Sequence, residues 1–134
     1  DIKDLDFSNE TVNDTQKKIV AVATNSAKYG ISARSGYCQA WVADVYQAVT
    51  GSRGSAHCAL CAADMWAVSS DWSKIPVGAA IYGYSSSKYG HVGIYIGNGM
   101  VAHNIGYIKI EPIEDWIKTY KGFAWGWENG YIKE

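Results

Sequence analysis

Tyr89-Gly90-His91-Val92-Gly93-Ile94-Tyr95-Ile96-Gly97-Asn98-Gly99-Met100-Val101-Ala102-His103-Asn104 reads as two apolar strands meeting at Gly97-Asn98-Gly99. Asn-Gly between such runs is a strong hairpin signal. The stretch makes this part of the chain antiparallel and puts one histidine on each strand. Register decides what those histidines can do together. A two-residue Asn98-Gly99 turn pairs Ile94 with His103 and sends the rings to opposite faces. A three-residue loop, with Gly99 in the left-handed position of a bulge, pairs Gly93 with His103. The rings then share a face as diagonal neighbours within reach of each other, and Gly93 leaves them room. Joint chemistry at His91 and His103 requires the second register.

Outward from the hairpin, residues 79–84, 107–110 and 123–127 also read as short strands, with a small helix over 113–120 before the last. The first half of the chain is different. A helix is expected over 15–28, capped by Asn13 or Asp14 and closed by Gly30. Cys38, Trp41, Val42, Val45, Tyr46 and Val49 recur at helical spacing as one apolar stripe, with Ser35-Gly36 before it and Gly51 after it. That places Cys38 in the first turn, on the buried face. A third helix is expected over 59–68. Helices first and antiparallel strands afterwards indicate an α+β domain with a sheet of about five strands.

Composition narrows the classes. Of 134 residues, 48% are hydrophobic, enough for one core and a single domain over 1–134. No apolar run approaches the roughly 18 residues of a membrane span. The polar start Asp1-Ile2-Lys3-Asp4 is not a signal peptide. A formal net charge of −1 argues against nucleic acid, whose binding rests on neutralising phosphates. Ten Tyr and six Trp against two Phe suit a groove that grips an extended, partly polar ligand, although ordinary core and rim packing accounts for many of them.

Three cysteines leave at least one thiol unpaired within the chain. Cys38 stands alone, which makes it the first candidate for chemistry. A helix N-terminus favours the thiolate, and a nearby imidazole completes an ion pair. The plain alternative is a small buried apolar residue. His91 is the candidate base. His103 is the candidate third group, which would fix the tautomer of His91 and aim its other nitrogen at the thiol. Glu111, Glu114 and Asp115 read as a solvated face and a helix start.

The block from Gly90 to His103 resembles the histidine block of NlpC-type cell-wall cysteine peptidases. The pattern of that family is a Cys opening a helix, a His-x-Gly-hydrophobic strand, and a polar residue twelve positions after the His. His91 and His103 are twelve apart. The resemblance runs from about residue 28 to about residue 110. It implies a compact papain-like fold with the nucleophile helix packed on an antiparallel sheet. It also implies a Cys38–His91–His103 triad, no metal or other cofactor, and hydrolysis of peptidoglycan stem peptides between D-glutamate and the diamino acid. The family usually carries Asp-Cys-Ser at the nucleophile where this chain has Tyr37-Cys38-Gln39. An upstream tyrosine that helps build the oxyanion hole is best matched by Tyr29, so Tyr29, Tyr37 and Gln39 are the candidate oxyanion or substrate residues. The Cys-Gln-Ala-Trp stretch is also similar to the related CHAP amidases and peptidases. By resemblance, the chain is expected to be a monomeric module of a larger secreted or phage-type wall hydrolase, acting outside the cell or in the cell wall, with no membrane or nucleic-acid partner.

Other readings stay open. The enzyme could be an amidase cutting between sugar and peptide, or a CHAP-like crosslink peptidase. The domain could instead be a wall-binding module that has lost activity. His57-Cys58-Ala59-Leu60-Cys61 could be a redox dithiol, part of a zinc site, a local disulfide or two free thiols. No strand pattern precedes it, as a redox motif would require, and it offers three ligands where zinc needs about four.

Overall fold

The computed structural model describes residues 12–130. The polar start at residues 1–4 lies outside them. Four helices and a six-stranded, wholly antiparallel sheet make an α+β fold. The helices are α1 (Asp14–Thr24), α2 (Cys38–Thr50), α3 (Ala59–Trp66) and α4 (Ile113–Tyr120). The strands are β1 (Ala67–Ser69), β2 (Ala80–Gly83), β3 (His91–Gly97), β4 (Met100–Asn104), β5 (Ile108–Pro112) and β6 (Gly122–Gly126), in the order β1-β6-β2-β3-β4-β5.

α1 starts on a capping box: Asn13 Oδ1 accepts from Gln16 N–H, and Gln16 Oε1 accepts from Asn13 N–H, both at 2.8 Å. It ends at Thr24, earlier than expected. A short 3₁₀ turn, Ser26–Tyr29, takes up the rest before Gly30 closes it. The α2 stripe is buried as its spacing predicts, with Trp41, Val42, Val45 and Tyr46 at most 1% exposed. Burial of such side chains stabilises by roughly 1.5–3 kcal/mol each, well above the ~1 kcal/mol of a helix cap. α2 can therefore stand without a side-chain cap, and its N-cap residue Tyr37 provides none. The first-turn N–H groups are left for other partners. α1 and α2 pack on each other and on β3, while α4 packs on β4, β5 and β6.

The hairpin combines features of both expected registers. Asn98 and Gly99 form a two-residue turn, both left-handed at φ 53° and 74°, and Gly97 pairs with Met100. A bulge between Tyr95 and Gly97 then shifts the ladder by one residue, so Tyr95 pairs with Val101 and Ile94 with Ala102. The extra residue therefore sits in β3 rather than in the loop. Beyond it, the strands hold the register that brings the histidines together. Gly93 faces His103: a Cβ there would lie 3.1 Å from His103 Cβ and 2.9 Å from Val101 Cγ1.

β1 was not foreseen. The third helix ends at Trp66 and the next residues pair with β6, giving six strands instead of five. β5 runs two residues past its expected end at 110. Among the described residues, no helix is long and apolar enough to cross a membrane.

Candidate active site

Cys38 is the free thiol among the described cysteines. It opens α2, half-buried, and the backbone N–H groups of Val92, Gln39 and Cys38 itself turn toward its sulfur. The Val92 contact sets the thiol against the start of β3, next to His91. These donors favour thiolate, but burial outweighs them and pushes the thiol above its ordinary pKa. That corrects the expectation of a thiol lowered by the helix N-terminus.

His91 and His103 share one face of the sheet. His91 Nε2 lies 2.8 Å from His103 Nδ1, and His103 Nε2 lies 2.6 Å from Glu111 Oε2. Glu111 on β5 is 8% exposed, so it is neither a solvated face nor part of a helix start. This third link fixes the proton positions of the chain. An ionised carboxylate only accepts, so His103 donates through Nε2 and keeps its lone pair on Nδ1. His91 then donates through Nε2, and its Nδ1 lone pair is free to act as a base. Burial, and next the neighbouring His103, hold His91 down to about 3. Burial also lowers His103, opposed by its bond to Glu111. Burial thus favours neutral imidazoles beside a neutral thiol rather than a thiolate–imidazolium pair, and Lys109 Nζ lies 3.7 Å from Glu111 Oε2 at the end of the hydrogen-bonded chain.

α4 covers this face. Tyr120 stacks on His91 with ring centroids 4.2 Å apart, and Trp116 packs on both histidines at 5.9 and 6.3 Å. Burial raises the Tyr120 hydroxyl, and Glu111, Tyr107 and Cys38 each add to that. Asn104, next to His103, ties the sheet to the segment before the nucleophile: its Nδ2 donates to Arg34 O at 2.8 Å and to Tyr37 O at 3.4 Å.

A cleft of about 480 Å³ opens at Cys38, lined also by Gly36, Tyr37, His57, Cys58 and Tyr89. Tyr37 is half exposed on this cleft, and Arg34 lies over its ring at 4.2 Å. Tyr89 is a second exposed aromatic lining this cleft, with Lys88 over it at 5.0 Å. Tyr29 sits half exposed on the 3₁₀ turn, and no described contact joins it to Cys38 or the histidines. Gln39 also lines the cleft; its side chain turns inward to Glu128, and its backbone N–H faces the Cys38 sulfur. Cys58 and Cys61 form a disulfide at the start of α3, the local bond among the readings left open for the pair. Among the described residues, no group of three or more His, Cys, Asp or Glu is arranged to hold a metal ion.

Cys38, His91 and His103 are legible in the sequence, whereas Glu111, Tyr120 and Asn104 join the site only through the fold. The signal for Glu111 was parity. Once β5 pairs His103 with Lys109 and Val101 with Glu111, residues 101, 103, 109 and 111 share a face. No model of a known protein family and no curated protein matches the chain.

Proposed function

We propose that this chain is a cysteine peptidase that hydrolyses amide bonds in the stem peptides of bacterial peptidoglycan. The observation that carries the chemistry is the hydrogen-bonded chain from His91 through His103 to Glu111, with the first-turn thiol of α2 held against the backbone N–H of Val92, the residue after His91. The wall substrate, the papain-like character of the fold and the extracellular setting rest on the resemblance of the histidine block to NlpC-type peptidases.

The mechanism begins from neutral partners. His91 Nδ1 takes the thiol proton as Cys38 Sγ attacks the amide carbonyl carbon. The Cys38 backbone N–H and a second donor hold the oxyanion that develops. His91 returns the proton to the leaving amine, the C–N bond breaks and a thioester remains. A water molecule, deprotonated by His91, attacks the thioester and releases the acid and the thiol. Throughout, His103 holds the imidazolium of His91 through Nε2, and Glu111 holds His103. The cleft walls at Tyr37 and Tyr89 offer an extended peptide two aromatic faces. By the resemblance, the bond cut joins D-glutamate to the diamino acid.

The test is digestion of purified peptidoglycan by wild type and by Cys38→Ala, with the fragments weighed by mass spectrometry. Cleavage by wild type alone is expected, and the fragment masses name the bond. Masses that separate sugar from peptide would make the enzyme an amidase. No cleavage of several wall types by wild type would overturn the hydrolase reading in favour of a binding module.

A further inference from the structure

Gln39, the residue after Cys38, is 4% exposed, and its Nε2 donates to Glu128 Oε1 at 2.8 Å. Glu128 is fully buried in the short turn Glu128–Gly130 that follows β6. A buried carboxyl is costly unless it is satisfied or neutral, and this one is only partly satisfied. Glu128 Oε2, Gln39 Oε1 and the Tyr82 hydroxyl are all buried without a hydrogen-bond partner among the described residues. The loop after α2 closes over the carboxyl at Gly54, where a Cβ would come within 2.2 Å of Glu128 Oε2. The groups facing Glu128 are Gln39 from α2, Tyr82 from β2, Arg53 from the loop after α2, and the apolar Trp66 from α3. Arg53 is already paired with Asp44. Burial raises Glu128 to about 7, with Gln39 and Arg53 pulling the other way.

We propose that Glu128 is a positioning residue for the nucleophile: through Gln39 it sets the first turn of α2, on which the thiol and the N–H groups facing it depend. The proposal rests on Cys38 being the nucleophile. Gln39 links two things in one residue, a backbone N–H against the Cys38 sulfur and a side chain anchored to the far end of the chain. Neutral Glu128 keeps that anchor without placing charge near the sulfur. Ionised Glu128 puts a buried negative charge, only partly offset by Arg53, one glutamine side chain away, which opposes thiolate formation.

The test uses iodoacetamide, whose attack on Cys38 needs no substrate and is not confused by the two cysteines held in the disulfide. Glu128→Gln keeps the shape and an acceptor for Gln39. Its alkylation rate is expected to match wild type below about pH 6 and to exceed it by roughly threefold to tenfold above about pH 8. On the hydrolysed substrate, Gln39→Ala and Glu128→Ala are each expected to lower kcat by about tenfold with KM little changed, and the double variant to be no worse than either. An alkylation profile of Glu128→Gln that superimposes on wild type would overturn the proposal, as would losses that add in the double variant. If Glu128→Ala does not fold, Gln39→Ala and Glu128→Gln carry the test. A wild type that alkylates as expected yet cuts no wall would refute the substrate and leave the positioning role standing.

Discussion

At the scale of single residues, the carboxylate of Glu111 decides which nitrogen of His91 is basic, two hydrogen bonds away. Replacing it with an amide gives His103 Nε2 a donor as readily as an acceptor. An amide that donates reverses both tautomers and leaves His91 Nδ1 protonated, with no lone pair to take the thiol proton. Glu111→Gln is therefore expected to lower kcat by about 100-fold, the lower end of what a general base contributes, with KM nearly unchanged. Steady-state kinetics on a defined stem peptide check it, and an unchanged kcat would remove Glu111 from the relay. The same burial sets the pH range. With His91 held to about 3, the base stays unprotonated far below the ordinary imidazole value of 6.5. The acid limb of kcat/KM is expected below about pH 5. Half-loss between pH 6 and 7 would mean that an ordinary imidazole is titrating. At the other end, the raised Cys38 thiol means that its alkylation by iodoacetamide keeps increasing beyond about pH 9.

At the scale of elements, the site depends on β3 and β4 meeting in one register and on α2 bringing its first turn to the start of β3. Gly93 is where that meeting is tightest, since a side chain there would press on Val101 and His103. Gly93→Ala is expected to cost about 1–3 kcal/mol of stability by overpacking. It should also lower kcat further than that loss explains, because the His91–His103 bond is displaced; melting and kinetics on one preparation check both. The α2 stripe and the hairpin were legible in the sequence because each is a local pattern: a helical period in one case, Asn-Gly between apolar runs in the other. What was missed depends on distant partners. Ala67-Val68-Ser69 is three residues long, and only its pairing with β6 makes it a strand. The bulge at Ile96 leaves no mark in composition, because an extra apolar residue fits either register. Glu111 lies one residue beyond the expected end of β5 at 110, just before Pro112. The protonation of Cys38 follows from how deeply α2 is set against β3, which spacing along one helix does not report.

At the scale of the whole molecule, the buried ionisable groups pull stability in opposite directions with pH. His91 titrates at 6.5 when free and at about 3 when folded. Between those values the unfolded chain holds the extra proton, so stability from this group rises as pH rises from 3 to 6.5. Burial lowers His103 as well, which adds in the same sense. Glu128 goes from 4.5 when free to about 7 when folded. Between 4.5 and 7 the folded chain holds the extra proton, so its contribution is present below 4.5 and is lost as pH rises through 7. From about 4.5 to 6.5 the trends oppose each other, and wild-type stability should rise less steeply there than the two histidines alone would give. Below that window the histidines alone act and stability falls steeply with acid. Glu128→Gln removes one trend and leaves the other. The gap between its melting temperature and that of wild type is expected to widen steadily from pH 4.5 to 7 and then level off. The change corresponds to roughly 3 kcal/mol, or about ten degrees for a chain of this size. Thermal melts of both proteins at half-unit steps from pH 4 to pH 8 check this. A gap that stays constant across that range would mean that Glu128 keeps an ordinary carboxyl in the folded chain, and the opposition between the two buried groups would not exist.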